Sequence, residues 1–223
     1  MIGLHCDPNN FRPISVLPVV IFERAIHKQL YDHLVENNPL SQFQSGFRPS
    51  HSTSTALLYV SDYILKHIDQ GNLTGAVLLD LSKAFDMIDH SLLKIKLTAL
   101  GVRGWALAWF NNYLSGRTQS VNVNGTYSDS VVLSLGVPQG SVLDPLLFIV
   151  FVNDLPSVVH CCKIVLYAYD TALFFAARNI QTIQTALQED LNAVGEWFSL
   201  NRLLVNCDKT TVMLFGAKKH LAR

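Results

Sequence analysis

The sequence predicts an α+β fold in which an antiparallel sheet packs on helices. Residues 118–134 alternate between polar and apolar side chains around Asn124-Gly125, which is a strong hairpin signal. Residues 163–175 also read as two short strands joined by a tight turn. Other stretches, such as 179–200, place apolar side chains at helical spacing. Hairpins imply antiparallel pairing, and strands and helices do not alternate strictly, so a mixed fold is favoured.

The first third of the chain is predicted to be mostly helical. Residues 19–35 carry apolar side chains at helical spacing, and residues 37–50 are rich in turn formers. In residues 51–71, hydroxyl side chains can cap the start of a helix and the final glycine can end it. Residues 75–82 form a short continuous apolar run, which predicts a buried strand.

The rest of the chain adds helices and then strands. Helices are predicted around residues 91–100 and 105–116. A Gly/Pro-rich turn at the start of residues 136–155 leads into an apolar helix, and residues 209–216 predict a last strand. No internal repeat or linker interrupts the sequence, which favours one domain.

Composition excludes several classes of protein. Of 223 residues, 49% are hydrophobic, which is ample for a packed core. The longest apolar run, residues 146–152, is far shorter than the roughly 20 residues that span a bilayer. The N-terminus lacks a secretory pattern, and the four cysteines lack C-x-x-C spacing, so we expect an intracellular protein that is neither secreted nor membrane-spanning. Seventeen basic residues balance seventeen acidic ones, which counts mildly against nucleic-acid binding.

Two aspartates stand where chemistry is expected. Asp80 lies at the exit of an apolar strand, and Asp170 lies at the tip of a hairpin. Each alone could be a structural cap. Adjacent strands of one sheet could bring them together, and two close carboxylates repel unless a cation lies between them. Mg²⁺ suits such a pair because it takes hard oxygen ligands together with substrate phosphates.

Six segments cover nearly the whole chain. They are NFRPIS (10–15), FQSGFRPSHSTSTAL (43–57), LLDLSKAFDMIDH (78–90), GVPQGSVLDPLLFIVFVNDL (136–155), LYAYDTALF (166–174) and WFSLNRLLVNCDKTTVMLFG (197–216). Together they resemble the reverse transcriptase domain of non-LTR (LINE-type) retrotransposons, close to jockey-like elements. They follow the order and spacing of that family, so a chance match of all six is very improbable.

The resemblance implies a reverse transcriptase fold of fingers and palm. It implies a single domain over residues 1–223, with fingers over about 1–75, mostly palm over about 76–216, and a tail over 217–223. The thumb is expected to be missing. The implied activity is RNA-directed DNA polymerisation, with an RNA template, a DNA primer, deoxynucleotides (dNTPs) and two Mg²⁺ ions, Mn²⁺ being the alternative metal.

The resemblance also assigns metal-binding and gating roles by position. Asp80 and Asp170 match metal-binding aspartates, and Leu81 would contribute its backbone carbonyl. Phe85 matches an aromatic gate against the ribose 2′-hydroxyl, with an ordinary core phenylalanine as the alternative.

Four polar residues and a glycine match substrate-contacting positions. Gln139 and Gly140 would lie against the incoming nucleotide, although a polar turn is the alternative reading. Arg48 and Arg12 would hold the triphosphate, because the guanidinium fork fits phosphate, but both could be ordinary surface arginines. Lys209 would protonate the leaving pyrophosphate, or it could be an exposed loop lysine.

The hairpin departs from the family pattern at one decisive position. The family reads Tyr-Ala-Asp-Asp, whereas this chain has Tyr169 where the first aspartate stands. A phenol keeps its proton at neutral pH and is a poorer Mg²⁺ ligand than a carboxylate. We therefore expect weakened metal binding and impaired catalysis. Asp144 also replaces a glycine that the family has, which puts a charge before the apolar helix.

Three functions remain open from the sequence. The chain could be an RNA-directed DNA polymerase of low activity. It could be a non-catalytic retrotransposon remnant that folds without a measurable activity or only binds nucleic acid. It could also be an interaction module whose apolar surface docks a protein partner.

Overall fold

The computed structural model describes residues 20–37 and 40–217, which contain six α-helices and ten strands. The helices are α1 (Val20–Glu36), α2 (Thr53–Asp69), α3 (His90–Ala99), α4 (Gly104–Leu114), α5 (Asp144–Phe151) and α6 (Ile180–Leu200). The strands are β1 (Leu73–Leu79), β2 (Leu81–Ser82), β3 (Thr118–Gln119), β4 (Asn122–Val123), β5 (Thr126–Tyr127), β6 (Val131–Val132), β7 (Lys163–Tyr167), β8 (Asp170–Ala177), β9 (Leu204–Val205) and β10 (Thr211–Phe215).

A four-stranded antiparallel sheet in the order β10-β1-β8-β7 organises the fold. Strand β1 lies inside the sheet and is buried along most of its length, as its continuous apolar sequence predicts. Three two-stranded ribbons, β2-β9, β3-β6 and β4-β5, lie outside the sheet. The α+β prediction is confirmed.

Local sequence signals explain where several elements begin and turn. Ser52 caps α2 in a reciprocal capping box with Thr55, and Gly71 follows the helix with φ +77°. Asn124 and Gly125 both take positive φ in the turn between β4 and β5, which is the geometry that an Asn-Gly pair favours.

The core lies between the sheet and the helices around it. Every residue of α5 except Pro145 is buried, which explains the unbroken apolar sequence that follows Asp144 in this helix. Helix α6 packs so closely on β1 that a Cβ atom at Gly75 would lie 2.4 Å from Ile183 and 2.9 Å from Leu187. None of the helices within residues 20–37 and 40–217 is long and apolar enough to cross a membrane.

Most predicted elements in the described part of the chain are present within a few residues of their expected bounds. The hairpin predicted over residues 163–175 extends to Ala177. The pairing of Leu81–Ser82 with Leu204–Val205 was not predicted, because each partner has only two residues and no hairpin joins them. The predicted role of residues 10–15 lies outside the described residues.

Candidate active site

Strand register brings the two aspartates to one edge of the sheet. Strands β1 and β8 run antiparallel, and their last pair joins Leu79 to Thr171. Continuing that register by one residue places Asp80 across from Asp170. Residues directly opposite on neighbouring strands have Cβ atoms only about 4.5–5.5 Å apart. The pairing of β1 with β8 therefore brings the two strand ends together, as expected.

The loop before β10 adds a cation beside this pair. The backbone amide of Asn206 donates to the carbonyl of Asp80 at 2.8 Å, which ties the loop to the strand exit. Lys209, three residues on, places its Nζ 3.8 Å from Oδ2 of Asp80. Leu81 is buried and pairs with Val205, so the backbone at the predicted carbonyl position is held in a small ribbon.

Electrostatics show that the two carboxylates influence each other. Partial burial raises the pKa of Asp170, and the negative charge of Asp80 raises it further, while Lys209 opposes the shift. A pair of this kind favours any cation that can lie between the two acids. The arrangement therefore fits a divalent ion held by hard oxygen ligands.

The same region falls short of a full ligand set. Within residues 20–37 and 40–217, no group of three or more His, Cys, Asp or Glu side chains is placed to hold a metal ion. Asp80 and Asp170 supply two carboxylates, and Tyr169 occupies the adjacent position, where the resemblance to the family leads us to expect a third. The donor set fits an ion held more weakly than by three carboxylates.

Tyr169 packs into an aromatic cluster at the predicted nucleotide gate. Its ring meets Phe85 edge to face, with ring centroids 6.1 Å apart and planes at 83°. Phe85 also lies 6.2 Å from Phe47 and 5.0 Å from Phe148, centroid to centroid. Phe85 is thus half-buried between the core and the candidate site, a placement compatible with both the gate and the core reading.

The loop that carries Gln139 and Gly140 is held by Asp144, a buried acid with a raised pKa. Gln139 is half-buried and Gly140 is exposed, and the amide of Gly140 donates to Oδ2 of Asp144 at 3.0 Å. Burial raises the pKa of Asp144 to about 6, with Asp86 and Glu23 adding to the shift. The sequence singled out Asp144, but neither of the two neighbouring acids.

The predicted triphosphate-binding arginines have different outcomes. Nη1 of Arg48 donates to the carbonyls of Ser41 at 2.7 Å and Gln44 at 3.1 Å, so part of the guanidinium braces its own loop. Its contact with a triphosphate stays a prediction. Arg12 lies outside the described residues.

Sequence reasoning missed Gln44, whose buried side chain contacts the turn that precedes Asp170. Gln44 lies in a segment that carried the family resemblance, which was the one available signal. The contact partner, Ala168, is 124 residues away in the chain. No local pattern reports a contact at that separation.

Comparisons with known proteins agree with this geometry. The family model described as "Reverse transcriptase (RNA-dependent DNA polymerase)" matches residues 5–221. A protein of Drosophila melanogaster named "Probable RNA-directed DNA polymerase from transposon BS" is 34% identical over 221 residues, covering 95% of this chain and 24% of that protein. The "RNA-directed DNA polymerase from mobile element jockey" of the same organism is 31% identical over 219 residues, covering 94% and 24%. The chain thus spans about a quarter of the length of these relatives.

Solved structures support the same fold. Apo telomerase from Candida tropicalis, truncated from its C-terminal domain, matches with a TM-score of 0.59 at 14% identity, covering 87% of this chain and 40% of that one. A telomerase from Candida albicans, in complex with a fragment of telomeric RNA, matches with a TM-score of 0.57 at 17% identity, covering 88% and 35%. At such low identity these matches speak for the fold alone, and they confirm the expected reverse transcriptase architecture. The chain belongs to the reverse transcriptase family, as a domain of the kind found in LINE-type, jockey-like elements.

Proposed function

We propose that this chain is an RNA-directed DNA polymerase domain whose catalysis is strongly impaired. The observation that carries the proposal is the placement of Asp80 opposite Asp170, with Tyr169 at the adjoining position. The substrates would be an RNA template, a DNA primer and dNTPs, as the names of the relatives suggest.

In this proposal each residue has a definite task. Asp80 and Asp170 hold Mg²⁺, or Mn²⁺ in its place, and Leu81 adds its carbonyl. A bound divalent ion supplies charge stabilisation for the attacking and leaving oxygens of nucleotidyl transfer. The ammonium of Lys209, already beside Asp80, donates a proton to the leaving pyrophosphate. These tasks require the acids to be ionised, which the ion itself favours.

Four further residues position the nucleotide in the proposed reaction. Phe85 excludes the ribose 2′-hydroxyl by volume, and its contacts with the core keep the ring in place. Gln139 and Gly140 line the nucleotide, with Gly140 held through Asp144. Arg48 holds the triphosphate with the donors that its loop carbonyls do not use, and Arg12 does the same from the preceding segment.

Tyr169 is the reason for the impairment. A phenol is bulkier than a carboxylate and does not carry a charge at neutral pH. Metal charge stabilisation is worth several kcal/mol, so losing a ligand slows the chemical step by roughly 10²- to 10⁴-fold. The packing of Tyr169 against Phe85 also places bulk beside the predicted gate.

The test is primer extension on an RNA template with Mg²⁺, comparing the wild type with Tyr169→Asp. We expect the variant to extend primers roughly 10²- to 10⁴-fold faster. Tyr127→Asp is the matched control, because it makes the same substitution at an exposed position of the β4-β5 ribbon, outside the four-stranded sheet. It should not restore extension, and adding Asp170→Asn to Tyr169→Asp should abolish it. A wild type as fast as Tyr169→Asp refutes the impairment.

Tyr169 itself favours one alternative, a remnant that binds nucleic acid without extending primers. Phosphate-driven binding loses affinity steeply with salt. This alternative would be supported if the wild type binds RNA or DNA in a salt-sensitive way and the Tyr169→Asp variant still does not extend primers. A stable protein complex with neither property would support an interaction module instead.

A further inference from the structure

The side chain of Gln44 reaches across the molecule to the turn of the catalytic hairpin. It is 2% exposed, and its Oε1 accepts the amide of Ala168 at 3.0 Å and the amide of Gly46 at 2.7 Å. Its Nε2 donates to the carbonyl of Ala168 at 3.2 Å. One carboxamide therefore satisfies both backbone groups of a single turn residue.

That turn residue has a backbone conformation that needs support. Ala168 and Tyr169 form the two-residue turn between β7 and β8, since the last pair of the ladder joins Tyr167 to Asp170. Ala168 has φ +55°, in the left-handed region that residues with a Cβ rarely adopt. Asp170 follows two residues later, so the conformation of this turn decides where β8 begins.

The loop around Gln44 is fitted against the same turn. A Cβ atom at Gly46 would lie 2.0 Å from the nitrogen of Ala168, so only glycine allows this approach. The amide of Ser45 donates to the carbonyl of Leu166 at 2.8 Å, and the amide of Leu166 donates to the carbonyl of Phe43 at 2.8 Å. The loop thus runs beside the outer edge of β7 and joins it through a single parallel bridge between Gln44 and Leu166.

We propose that Gln44 is a positioning residue that fixes the Ala168 turn and thereby holds Asp170 opposite Asp80. The inference rests on the proposed role of these aspartates in metal binding. Gln44 touches neither the ion nor the nucleotide in this assignment, and it acts only through the backbone of the turn. Arg48 helps to hold the backbone of Gln44 in place, because its Nη1 donates a hydrogen bond to the carbonyl of Gln44.

The first experiment needs no catalysis. Amide hydrogen exchange of the full chain is followed in segment 163–175 and, as an internal reference, in segment 180–200. Gln44→Leu removes all three hydrogen bonds, so we expect faster exchange in the hairpin and unchanged exchange in α6. Gln42→Leu makes the same chemical change at an exposed position of the same loop and should leave both segments unchanged.

The second experiment separates positioning from general destabilisation. In the Tyr169→Asp background, Gln44→Leu should lower kcat for primer extension by about 10- to 100-fold, as expected for a displaced reacting group, with a KM for dNTP close to the parent value. Gln44→Glu keeps an oxygen for both amides and should recover part of the loss. If Gln44→Leu fails to fold, Gln44→Glu alone carries the comparison, with an effect larger than that of Gln42→Leu.

Two results would overturn the proposal. One is unchanged amide hydrogen exchange of segment 163–175 in Gln44→Leu, and the other is faster exchange of that segment with an unchanged kcat for primer extension. Faster exchange with a kcat-only loss supports it. If the Tyr169→Asp parent neither binds Mn²⁺ nor extends primers, the proposed function fails, and hydrogen exchange alone then decides whether Gln44 fixes the turn.

Discussion

Two buried aspartates, Asp190 in α6 and Asp144 at the start of α5, hold backbone amides of nearby loops in very different ways. Asp190 is 1% exposed and accepts the three successive amides of residues 160–162 at 2.9, 2.9 and 2.6 Å. Asp144 is 5% exposed. Among the residues that the structure describes, its Oδ2 accepts one hydrogen bond, from the amide of Gly140, and its Oδ1 has no hydrogen-bond partner. The two side chains are almost equally buried, but Asp190 accepts three backbone hydrogen bonds and Asp144 accepts one.

The pKa values of the two acids move in opposite directions as a result. Burial works to raise the pKa of Asp190, but hydrogen bonds from the loop outweigh it and lower the pKa below its ordinary value. Burial raises the pKa of Asp144 to about 6; the Gly140 amide opposes this, and Asp86 and Glu23 reinforce it. The contrast teaches that donors, rather than depth, decide whether a buried carboxylate stabilises this fold.

Removing the better-satisfied acid should have the largest effect. Asp190→Ala leaves three loop amides without their acceptor, so we expect a loss of roughly 2–4 kcal/mol in the free energy of unfolding. Glu189→Ala, the exposed neighbour on the same helix, should change it by less than about 0.5 kcal/mol. Urea denaturation measures both. If Asp190→Ala and Glu189→Ala both lower the free energy of unfolding by a similar small amount, water replaces Asp190 as acceptor. The number of donors would then not explain the difference between Asp190 and Asp144.

Neutralising the other acid should change stability in the opposite sense. A carboxyl whose pKa rises on folding, here from 3.8 to about 6, stabilises the fold while it is protonated. That stability is fully present below about pH 4 and is lost as the pH rises through about 6. Asp144→Asn removes the charge and keeps an oxygen for Gly140, so we expect roughly 1–3 kcal/mol of added stability at pH 7.

The same variant is checked by its pH dependence. The gain of Asp144→Asn over the wild type should shrink as the pH is lowered from 7 to 4, because the wild-type carboxyl then takes up its proton. Thermal unfolding at several pH values measures the gain. Asp129→Asn, at an exposed position of the ribbon region, should show no such trend. A variant less stable than the wild type at pH 7 would mean that Asp144 is stabilising as a charge.

These contrasts mark how far the sequence could predict the molecule. Elements with local signals were predicted well: Ser52 caps α2, and Asn124-Gly125 turns the outer ribbon. The meeting of Asp80 and Asp170 was also within reach, because an apolar strand and a hairpin tip each end at a known position of a sheet. For the cap and the turn, the signal lies within a few residues of the feature; for the two aspartates, local signals give the two strand ends, and the sheet brings them together.

The satisfaction of buried polar groups could not be predicted in the same way. Gln44 lies 124 residues from Ala168, and Glu23 accepts the amide of Val142 from 119 residues away. A glutamine in a loop and a glutamate in a helix look solvent-facing in sequence. Tertiary packing alone decides that they are buried and which backbone groups they meet.

Asp89 gives the test with the smallest expected effect of whether hydrogen-bond donors decide how much a buried carboxylate stabilises the fold. It is 5% exposed, caps α3 by accepting the amides of Ser91 at 2.9 Å and Leu92 at 3.0 Å, and accepts Nη1 of Arg202 at 2.5 Å. Burial works to raise its pKa, but hydrogen bonds from Ser91 and Leu92 and the charge of Arg202 lower it.

Asp89→Asn keeps a good capping oxygen and loses only the charge, so we expect a loss of about 0.5–1.5 kcal/mol at pH 7. Asp89→Ala removes the cap as well and should cost more. Urea denaturation at pH 7 and again near pH 3 should show the wild type and Asp89→Asn converging, because the lowered pKa stabilises only while the acid is ionised. If Asp89→Asn costs as much as Asp89→Ala, charge rather than donor number governs these sites, and Asp190 and Asp144 would differ for that reason instead.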